Sequence, residues 1–561
     1  MDQLTSPPPR ASDGIAAPLR EPVFRRIWLA SLLSNFGMLV QGVGAAWAMT
    51  LMTSSADKVA LVQTAAMLPT MLISIAAGAI ADMYDRRLVS LIGLCIALAA
   101  ATTLSTLTFL NAITPNILLL FCFIVGTGMA LFGPSWQASV SEQVSAETLP
   151  AAVALNGISY NIARSFGPAI GGVIVAAAGA GAAFVTNAAL YVPLIVVMVL
   201  WRRRHEPSRL PPEGLRRAIV SGVRYIVNSP QTRIVLTRTM MTGLLGGSAF
   251  ALMPLVARNL LHGDAQTYGL MLGAFGLGAV IGALNIARIR RRIDDESFVR
   301  TCAIIMGLGI AATGFSRSLP LTIAALVFTG AMWTLSVTVY NIGVQLSAPR
   351  WVSGRALAAF QTAIAGGIAA GSWGWGQTAD VIGVDKALLL GGGLMLLSPL
   401  LGLRFPLPTV NASSEGADIL ADPEVHLLLN PRSGPIIVEI EYHVDPARAR
   451  AFYGVMQEVQ LARQRTGAYG WSIARDITDP ALWTERYHCP TWHDYLRQRN
   501  RPTQAERSLT QSAQEFHTGA EPVRIRRMLE RPFGSVRWKE ESPDRGLGDV
   551  LPINAPAGGG S

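Results

Sequence analysis

The sequence predicts an α-helical membrane protein with twelve transmembrane helices in two six-helix halves, followed by a cytoplasmic α+β domain of the ferredoxin-like type. Three observations lead to this prediction. Only 15% of the 561 residues are charged and 51% are hydrophobic, whereas a soluble chain carries about a quarter charged residues. The hydrophobic residues are gathered in long runs between about residues 23 and 404. After residue 434 the pattern becomes that of a soluble domain with alternating strands and amphipathic helices.

The apolar runs are about 18 to 28 residues long, which is enough for a helix to cross a hydrocarbon core of roughly 30 Å. Helices are expected because a backbone in lipid has to satisfy its own hydrogen bonds. The predicted spans are, by residue number, 24–52, 59–82, 88–110, 115–135, 149–177, 182–201, 234–257, 267–288, 298–316, 319–342, 355–379 and 386–404. The polar N-terminus shows no signal-peptide pattern, so the first run is expected to remain as a span.

Basic residues divide the connections between the spans into two sets. One set holds little beyond Lys58, Arg258, Arg317 and Lys386. The other contains Arg86, Arg87, Arg202 to Arg204, Arg209, Arg216, Arg217, Arg224, Arg288, Arg290 to Arg292, Arg350, Arg355 and Arg404. Because arginine-rich loops stay in the cytoplasm, we expect both termini on the cytoplasmic side of a bacterial inner membrane. The same loops account for the net charge of +10, so nucleic acid is not expected as a partner.

The spans fall into two groups of six, separated by a basic loop with a short amphipathic helix. The predicted segments are an N-terminal tail (1–22), a first half (23–201), the central loop (202–232), a second half (233–404), a linker (405–434), the α+β domain (435–532) and a flexible tail (533–561). The second and eighth spans end in similar sequences, GAIADMYDRR and GALNIARIRRR, with Gly78 matching Gly282. Two related halves around a central cavity are typical of secondary carriers.

The end of the second span resembles the loop between helices 2 and 3 of the major facilitator superfamily. The matching residues are Gly78, Asp82, Arg86 and Arg87, and the departures from the family pattern are Met83 and Asp85. The resemblance implies a gate in which Asp82 faces the positive N-terminal end of the eleventh span, near Gly354. Glu142, at the cytoplasmic end of the fourth span, is the expected partner of Arg86. The alternative is a stop-transfer signal, in which the arginines only mark the membrane surface.

The fifth span contains NIARSFGPAIGG, which resembles the Gly-Pro-x-x-Gly-Gly signature of exporters in the same superfamily. The matching residues are Gly167, Pro168, Gly171 and Gly172. Glycines allow helices to pack closely, and a proline bends a helix because it lacks a backbone donor.

A narrower resemblance covers roughly residues 20 to 530. It is carried by VQLSAPRWVSGRALAAFQTAIAGG, GPIIVEIEY, RTGAYGWSIARDITDP and HDYLRQRNRPTQAERS. These stretches are similar to the enterobactin-exporter-like branch of the superfamily, also called transmembrane secretion effectors. The resemblance implies a carrier that exports a small molecule, such as a siderophore or a drug-like amphiphile, by alternating access coupled to protons.

Polar residues within the spans are candidates for a substrate cavity. Arg164 lies mid-span, where an arginine is normally paired or faces water, so it either attracts an anionic or polar substrate or makes a structural contact. Arg238, near the start of the seventh span, is expected to extend to the membrane surface. The other candidates are Asn35, Gln41, Asn161, Asn341, Gln345, Gln361 and Trp373. For any single amide, a hydrogen bond between helices is the alternative role.

The source of energy is not evident from the residues. No Asp or Glu lies well inside any of the twelve predicted spans, whereas proton-driven carriers usually need an embedded titratable group. The fourth span has Cys122 and Phe123 where many proton-coupled exporters carry an arginine. Proton coupling therefore rests on the resemblance, with Asp82 and Glu142 as the available acids. The absence of a GxxxxGK[ST] loop argues against export driven by ATP.

The tail predicts a small αβ domain. PIIVEIEYHV alternates like a strand, PARARAFYGVMQEVQLARQ has the pattern of an amphipathic helix, and YGWSIARDI and LWTERYHC predict a strand pair. HDYLRQRN and AERSLTQSAQEFH predict helices, and EPVRIRRMLE a last strand. The order βαββαβ is that of a ferredoxin-like domain. It resembles the antibiotic-biosynthesis monooxygenase-like domains, which often dimerise through their sheets.

A regulatory or docking role is expected for this domain. Trp471, Trp483 and Tyr487 are expected in its core or at a dimer face. Neither the histidines nor the four cysteines show the spacing of metal ligands, so no cofactor, metal site or disulfide is predicted; the histidines concerned are His443, His488, His493 and His517. Two alternatives to an exporter are open: a membrane-tethered monooxygenase-like enzyme, and a transport-incompetent sensor that signals through this domain.

Overall fold

The structure, a computed structural model, describes residues 16–145, 147–201, 215–290, 293–349, 352–407, 423, 425–427, 429–500 and 503–530. It divides into two compact units. The helical unit comprises Met1–Ile219, Ile234–Val344 and Leu357–Pro408, and the αβ unit comprises Val220–Arg233, Gln345–Ala356 and Thr409–Ser561. The αβ unit therefore includes two short segments that precede the tail in sequence, one from the central loop and one between the predicted tenth and eleventh spans.

Helices dominate the described chain up to residue 404. They are α1 (Pro22–Met52), α2 (Ala56–Met83), α3 (Arg86–Phe109), α4 (Pro115–Ser139), α5 (Leu149–Leu200), α6 (Leu215–Val227), α7 (Pro230–Leu255), α8 (Ala265–Arg290), α9 (Asp295–Phe315), α10 (Leu319–Ser347), α11 (Ser353–Ile382), α12 (Val384–Leu397) and α13 (Leu401–Arg404). Side-chain caps fix several starts: Ser55 accepts a hydrogen bond from the backbone N–H of Lys58 before α2, and Asp294 accepts one from Ser297 before α9.

Ten helices of the described chain are long and apolar enough to cross a membrane, where the sequence predicts twelve spans. One difference is α5, in which the predicted spans 149–177 and 182–201 lie in a single run of 52 residues. The run has enough residues for two helices that each cross a bilayer core. Gly179 interrupts it with a φ of 78°, a conformation that favours glycine. The other difference is α11, which has 30 residues but is not among the ten.

Small residues bring neighbouring helices of the helical unit into backbone contact. A Cβ built on Gly93 of α3 would lie 2.5 Å from the carbonyl oxygen of Gly128 in α4, and the reverse distance is also 2.5 Å. Around this contact, Leu94, Phe132 and Tyr191 belong to one buried cluster from α3, α4 and α5. Lipid gives helices no hydrophobic reason to associate, so close packing of this kind holds the bundle together.

The described tail folds around a four-stranded antiparallel sheet. The strands are β1 (Ile436–His443), β2 (Tyr469–Arg475), β3 (Leu482–Cys489) and β4 (Arg524–Leu529), and the helices are α14 (Ala449–Thr466), α15 (Trp492–Asn500) and α16 (Gln504–Gln514). The sheet order is β2-β3-β1-β4. On one face, Val438, Ile440 and Tyr442 of β1 share a buried cluster with Phe452 and Met456 of α14. These elements lie in the segments where the sequence predicts strands and helices.

The opposite face of the sheet carries charge pairs. Arg486 Nε lies 3.7 Å from Glu439 Oε1, and Arg526 Nη2 lies 3.2 Å from Glu441 Oε1. The paired residues come from β1, β3 and β4, so the pairs cross three strands. A face of this kind is polar, in contrast to the apolar surface that stable dimers usually bury.

A buried carboxylate joins the sheet to α14. Glu485 of β3 is fully buried, and it accepts hydrogen bonds from Arg463 Nε at 3.1 Å, Tyr442 Oη at 3.2 Å and Trp471 Nε1 at 3.0 Å. Burial lowers the pKa of the Arg463 guanidinium, but Glu485, Tyr487 and Tyr442 together raise it above its usual value. Three donors compensate for the buried charge. Trp471 thus packs against the core of the domain, which is one of its two expected positions, the other being a dimer face.

Replacing Glu485 by Gln is expected to destabilise the αβ domain by about 3–5 kcal/mol, because Arg463 would remain buried without a carboxylate. The reactivity of Cys489 reports unfolding of the domain. Burial raises the pKa of its thiol to about 12, so the reactive thiolate is scarce while the domain is folded. Alkylation of Cys489 by iodoacetamide in the full-length chain, followed by peptide mass spectrometry, should become faster. Glu439→Gln on the open face is the matched control, and equal alkylation rates in both variants would contradict the prediction.

Candidate functional site

The turn between α2 and α3 is fixed by Asp85 and Arg86. The Asp85 carboxylate accepts hydrogen bonds from the backbone N–H groups of Arg87 at 2.8 Å and Leu88 at 3.2 Å, and so caps α3. Arg86 Nη1 donates to Glu142 Oε1 at 3.0 Å, which joins the start of α3 to the segment after α4. Asp85, a departure from the superfamily pattern, thus has a structural role as a helix cap.

The other residues of the predicted gate lie at the same end of α2. A Cβ built on Gly78 would lie 3.6 Å from the Cβ of Ala358 in α11, so the last turns of α2 lie beside the first turns of α11. Asp82 belongs to the last turn of α2, but its side chain lies outside the described residues. Its contact with the start of α11 therefore stays a prediction. Arg87 Nη2 donates to the carbonyl oxygen of Val199, near the end of α5, at 2.5 Å.

Two glycines of the exporter signature pack α5 against α1. A Cβ on Gly167 would lie 3.1 Å from the Cβ of Leu39, and one on Gly171 would lie 3.1 Å from the Cα of Val40. The distances are too short for a larger side chain unless α1 moves.

The remaining part of the signature faces α8. A Cβ on Gly172 would lie 2.7 Å from the carbonyl oxygen of Ala265 and 2.9 Å from the Cα of Gly269. A Cβ on Gly269 would in turn lie 2.6 Å from the carbonyl oxygen of Pro168. Since α5 belongs to the first half and α8 to the second, the signature lies where the two halves are in backbone contact.

Arg164, one turn before the signature, lies at the end of an aromatic cluster. Its guanidinium carbon is 5.3 Å from the ring centroid of Phe275, a cation–π distance. The ring centroid of Phe250 lies 5.0 Å from that of Phe275 and 4.9 Å from that of Trp333, and both pairs have edge-to-face geometry. Within the described parts of the chain, no carboxylate lies at ion-pair distance from Arg164. The site therefore combines aromatic surface from α7, α8 and α10 with a cation that no anion neutralises there.

One cavity candidate forms a hydrogen bond between helices. Gln41 is only 5% exposed, and its side-chain oxygen accepts a hydrogen bond from Asn187 Nδ2. Asn187 is fully buried in the part of α5 that follows Gly179. The pair joins α1 to α5, which favours the alternative role of an interhelical contact for Gln41. Its place in a substrate cavity stays a prediction.

The other amide and aromatic candidates are distributed over α1, α5, α10 and α11. Asn161 Nδ2 donates to the carbonyl oxygen of Gly157 in its own helix at 2.9 Å. Trp373 is 55% exposed, whereas Trp375 is buried and donates from Nε1 to the carbonyl oxygen of Leu244 at 2.9 Å. The half-buried candidates are Asn35, Asn161, Asn341 and Gln361, and the exposed ones are Gln345 and Trp373.

Arg238 is not a surface residue, contrary to the expectation from sequence. It is 5% exposed and forms an ion pair with Glu296. Glu296 also accepts hydrogen bonds from Arg300 Nε at 2.8 Å and from the backbone N–H of Leu407 at 2.9 Å. This cluster joins α7 to α9 and to the segment after α13. Burial of Arg238 is tolerated because the partly buried Glu296 carboxylate compensates its charge.

A carboxylate just beyond the predicted eleventh span forms a contact between α11 and α2. Asp380, in the last turn of α11, accepts hydrogen bonds from Ser55 Oγ at 2.8 Å and from the backbone N–H groups of Ala56 at 2.5 Å and Asp57 at 3.1 Å. We call this set the Asp380 contact. It places a negative charge at the positive N-terminal end of α2. The predicted eleventh span ended one residue earlier, at 379.

The αβ unit contains a reciprocal contact between the C-terminal ends of two helices. Arg224 Nη1, near the end of α6, donates to the carbonyl oxygen of Gly467 after α14 at 3.0 Å. Arg465 Nη1, near the end of α14, donates to the carbonyl oxygen of Asn228 after α6 at 3.4 Å. Glu506 holds Arg465 through Nε at 2.9 Å. A cation at a helix C-terminus is stabilising, so each helix stabilises the end of the other. We call these two contacts, from Arg224 to Gly467 and from Arg465 to Asn228, the arginine exchange.

Within the same unit, α6 is bonded to the last residue of α10 and to the first turn of α11. Tyr225 is 4% exposed and donates from Oη to the carbonyl oxygen of Ser347 at 2.7 Å, while Arg355 Nη1 donates to Ser221 Oγ at 2.8 Å. Burial, with a further contribution from Glu506, raises the pKa of Tyr225 to about 12. The hydroxyl therefore remains a protonated donor at physiological pH.

The full sequence matches one protein family along most of its length. The family described as transmembrane secretion effector matches residues 13–533, which include helices α1 to α13 and the strands of the tail. The chain belongs to the transmembrane secretion effector family. It is therefore a multi-pass membrane transporter of the major facilitator type and not an enzyme. Among the described residues, no group of three or more His, Cys, Asp or Glu side chains is placed to hold a metal ion.

Characterised relatives of this secretion effector are bacterial. The multidrug efflux pump Tap of Mycolicibacterium fortuitum is 25% identical over 399 residues, which cover 68% of this chain and 95% of that protein. The enterobactin exporter EntS of Citrobacter koseri is 25% identical, with coverage of 68% and 91%. The staphyloferrin A transporter of Staphylococcus aureus is 23% identical, with coverage of 51% and 72%. The family match makes the secretion effector a multi-pass membrane protein.

Solved structures agree at the level of the fold. A mutant of the nucleoside transporter NupG aligns with a TM-score of 0.56 and 11% identity, over 68% of this chain and 100% of that chain. A POT family transporter in complex with 5-aminolevulinic acid aligns with a TM-score of 0.56 and 13% identity, over 68% and 95%. About a third of the secretion effector lies outside these alignments.

Replacing Gly172 by Val is expected to abolish most transport, because the new side chain would meet the backbone of α8, which cannot rotate out of the way. We expect a loss of about tenfold or more in initial rate, the effect of roughly 1.4 kcal/mol or more of overpacking. Gly157→Val in the same helix is the matched control, since no heavy atom lies within 4 Å of a Cβ built there. Equal transport rates in the two variants would show that the α5–α8 contact is not required.

Proposed function

We propose that this secretion effector is a secondary active exporter that moves a small molecule out of a bacterial cell by alternating access. The observation that carries the proposal is the α5–α8 contact, where the exporter signature of one half lies against the backbone of the other half. Alternating access requires the halves to separate and meet again along such a surface. Backbone contact at Gly172 and Gly269 allows this without side chains that interlock across the halves.

We propose that the exporter has twelve spans. α5 supplies two of them, divided at Gly179, where the backbone leaves the helical conformation. α11 is the twelfth, and its low apolar content fits a helix that faces other helices and a cavity more than lipid. The distribution of arginines supports cytoplasmic termini.

For the substrate, we propose an amphiphile with an aromatic or other apolar part and a negative or strongly polar group, such as a siderophore or a drug-like compound. Arg164 supports this proposal because its charge faces aromatic rings instead of a carboxylate among the described residues. The relatives named for multidrug efflux, enterobactin and staphyloferrin A support the same class. Half-buried amides at Asn35, Asn161, Asn341 and Gln361, with Gln345 and Trp373, would supply further polar and aromatic contacts.

We propose that the inner gate consists of Gly78, Asp82, Arg86, Arg87 and Glu142. The 3.0 Å ion pair of Arg86 with Glu142 and the position of Gly78 beside α11 support it. Asp82 and Glu142 are the proposed proton acceptors, because the carboxylates of the described spans lie at helix ends and not at mid-span.

We propose that the αβ domain is a ferredoxin-like docking module, related to the monooxygenase-like domains but without their reaction. The arginine exchange with α6 supports docking. Glu485 uses the donor groups of Arg463, Tyr442 and Trp471, which favours a structural role for this polar cluster over an oxygenase site. Self-association through the domain is a further proposal, and its salt-bridged open face would make such a contact polar.

Export can be tested by comparing a deletion strain with the same strain carrying the wild-type chain, by drug susceptibility and metabolite profiling with and without an uncoupler. For a compound found in this way, Arg164→Ala is expected to lower export about tenfold, as for the loss of a hydrogen bond to a charged group. Arg317→Ala is the matched control, because Arg317 is exposed and lies 3.6 Å from Asp385 at a helix end. No accumulated compound and no changed susceptibility would overturn the exporter proposal.

Docking can be tested by hydrogen exchange on the purified full-length chain. Arg224→Ala is expected to speed backbone exchange at the ends of α6 and α14 by about tenfold, the equivalent of one charge-assisted hydrogen bond. Arg450→Ala, an exposed position on α14, is the control. The same exchange rates in both variants would mean that the arginine contact contributes nothing to docking.

A further inference from the structure

α2 and α11 share a sequence pattern at an offset of 298 positions. Aligned from Ser55 and Ser353, the helices have the same residue at nine of the 28 positions that end at Asp82 and Asp380. The identical pairs are Ser55 and Ser353, Ala60 and Ala358, Gln63 and Gln361, Thr64 and Thr362, Ala65 and Ala363, Ser74 and Ser372, Gly78 and Gly376, Ala81 and Ala379, and Asp82 and Asp380. In the last turns of both helices, an aspartate follows a glycine by four positions.

The two helices lie side by side in opposite directions. A Cβ built on Gly376 would lie 2.7 Å from the Cβ of Ala60, and one built on Gly78 would lie 3.6 Å from the Cβ of Ala358. Because Ala60 aligns with Ala358, each helix places its glycine against the aligned alanine of the other. The two ends of the contact therefore use aligned residues, although the helices are closer at Gly376 than at Gly78.

At the closer end, the aspartate is bonded to the opposite helix. The Asp380 contact supplies a negative charge and an acceptor to the free N–H groups of α2. At the same end, Arg258, after α7, donates to the carbonyl oxygen of Thr50 in the last turn of α1, which is another bond between the halves. By the arrangement of basic loops, this is the end expected outside the cytoplasm.

We propose that the Asp380 contact is a second, outer gate, an inverted copy of the Gly78–Asp82 gate. Gly376 is a positioning residue that lets α2 approach closely enough for Asp380 to reach its N-terminus. Because the aspartates occupy aligned positions on antiparallel helices, a rocking motion that brings one to the opposite N-terminus separates the other. The conformation described has the outer gate closed. The proposal rests on the proposed transport by alternating access.

The test measures gate opening directly, in full-length protein reconstituted in lipid nanodiscs. Spin labels at Ser54 and Lys386 report the Asp380 end, and labels at Tyr84 and Leu284 report the Gly78 end, after replacement of the native cysteines. Electron–electron double resonance then gives the distance populations at each end. Asp380→Asn is expected to increase the population open at the outer end about fivefold, the effect of removing a charge from a helix N-terminus. Asp82→Asn is expected to shift the populations in the opposite direction.

Asp385→Asn is the matched control, because Asp385 is an aspartate at the same end with an exposed partner, Arg317. Populations in Asp380→Asn that equal those of this control would overturn the second gate. A shift in the same direction for Asp82→Asn and Asp380→Asn would also overturn it, since both residues would then only stabilise packing. If the populations shift as expected but no exported compound is found, the gate stands and the exporter proposal fails.

Discussion

Close contact between helix backbones is the constraint on which the rest of this structure depends. In lipid, apolar side chains gain nothing by leaving their surroundings, so helices associate through packing and polar contacts. Glycine provides the packing at α3–α4, at α5–α8 and at both ends of α2–α11. Two of these interfaces, α5–α8 and α2–α11, join the halves, and glycines bring the helices close together in both. A surface that must separate and re-form in each cycle is better served by smooth backbone contact than by side chains that have to find their rotamers again.

Charged side chains supply further stabilising contacts, and these contacts lie at helix ends. Asp85 caps α3, Asp380 contacts the start of α2, and Arg224 and Arg465 contact the ends of α14 and α6. In each case a full charge lies at the helix end of opposite partial charge. These ionic contacts avoid mid-span, where an unpaired charge costs most. Arg164 is an exception, and its guanidinium lies against the ring of Phe275.

The sequence was sufficient for features that depend on local pattern. Run length located the helices, and alternation located the strands of the tail, because both follow from the periodicity of the backbone. Contacts between distant residues could not be derived in this way. Arg238 forms an ion pair with Glu296, 58 residues further along the chain. Gln41 accepts a hydrogen bond from Asn187, 146 residues away. The predicted eleventh span stops at residue 379 because hydropathy ends a span at the first charged residue. Asp380 therefore lies outside that span, although a charge at a helix end can still contact another helix. The recurrence of Gln-Thr-Ala and Gly-x-x-x-Asp in α2 and α11 was a signal in the sequence that could have identified it.

The arginine exchange between α6 and α14 has a consequence for how the protein is made. The two arginines are separated by more than 240 positions, so α6 leaves the ribosome long before α14 exists. Six predicted spans have to be synthesised and inserted in the interval. The end of α6 therefore lacks its partner throughout insertion of the second half and receives it only when the tail is complete. Docking of the tail is thus a late step in biogenesis, and chains truncated within the tail would leave the carbonyl groups at the end of α6 open to solvent.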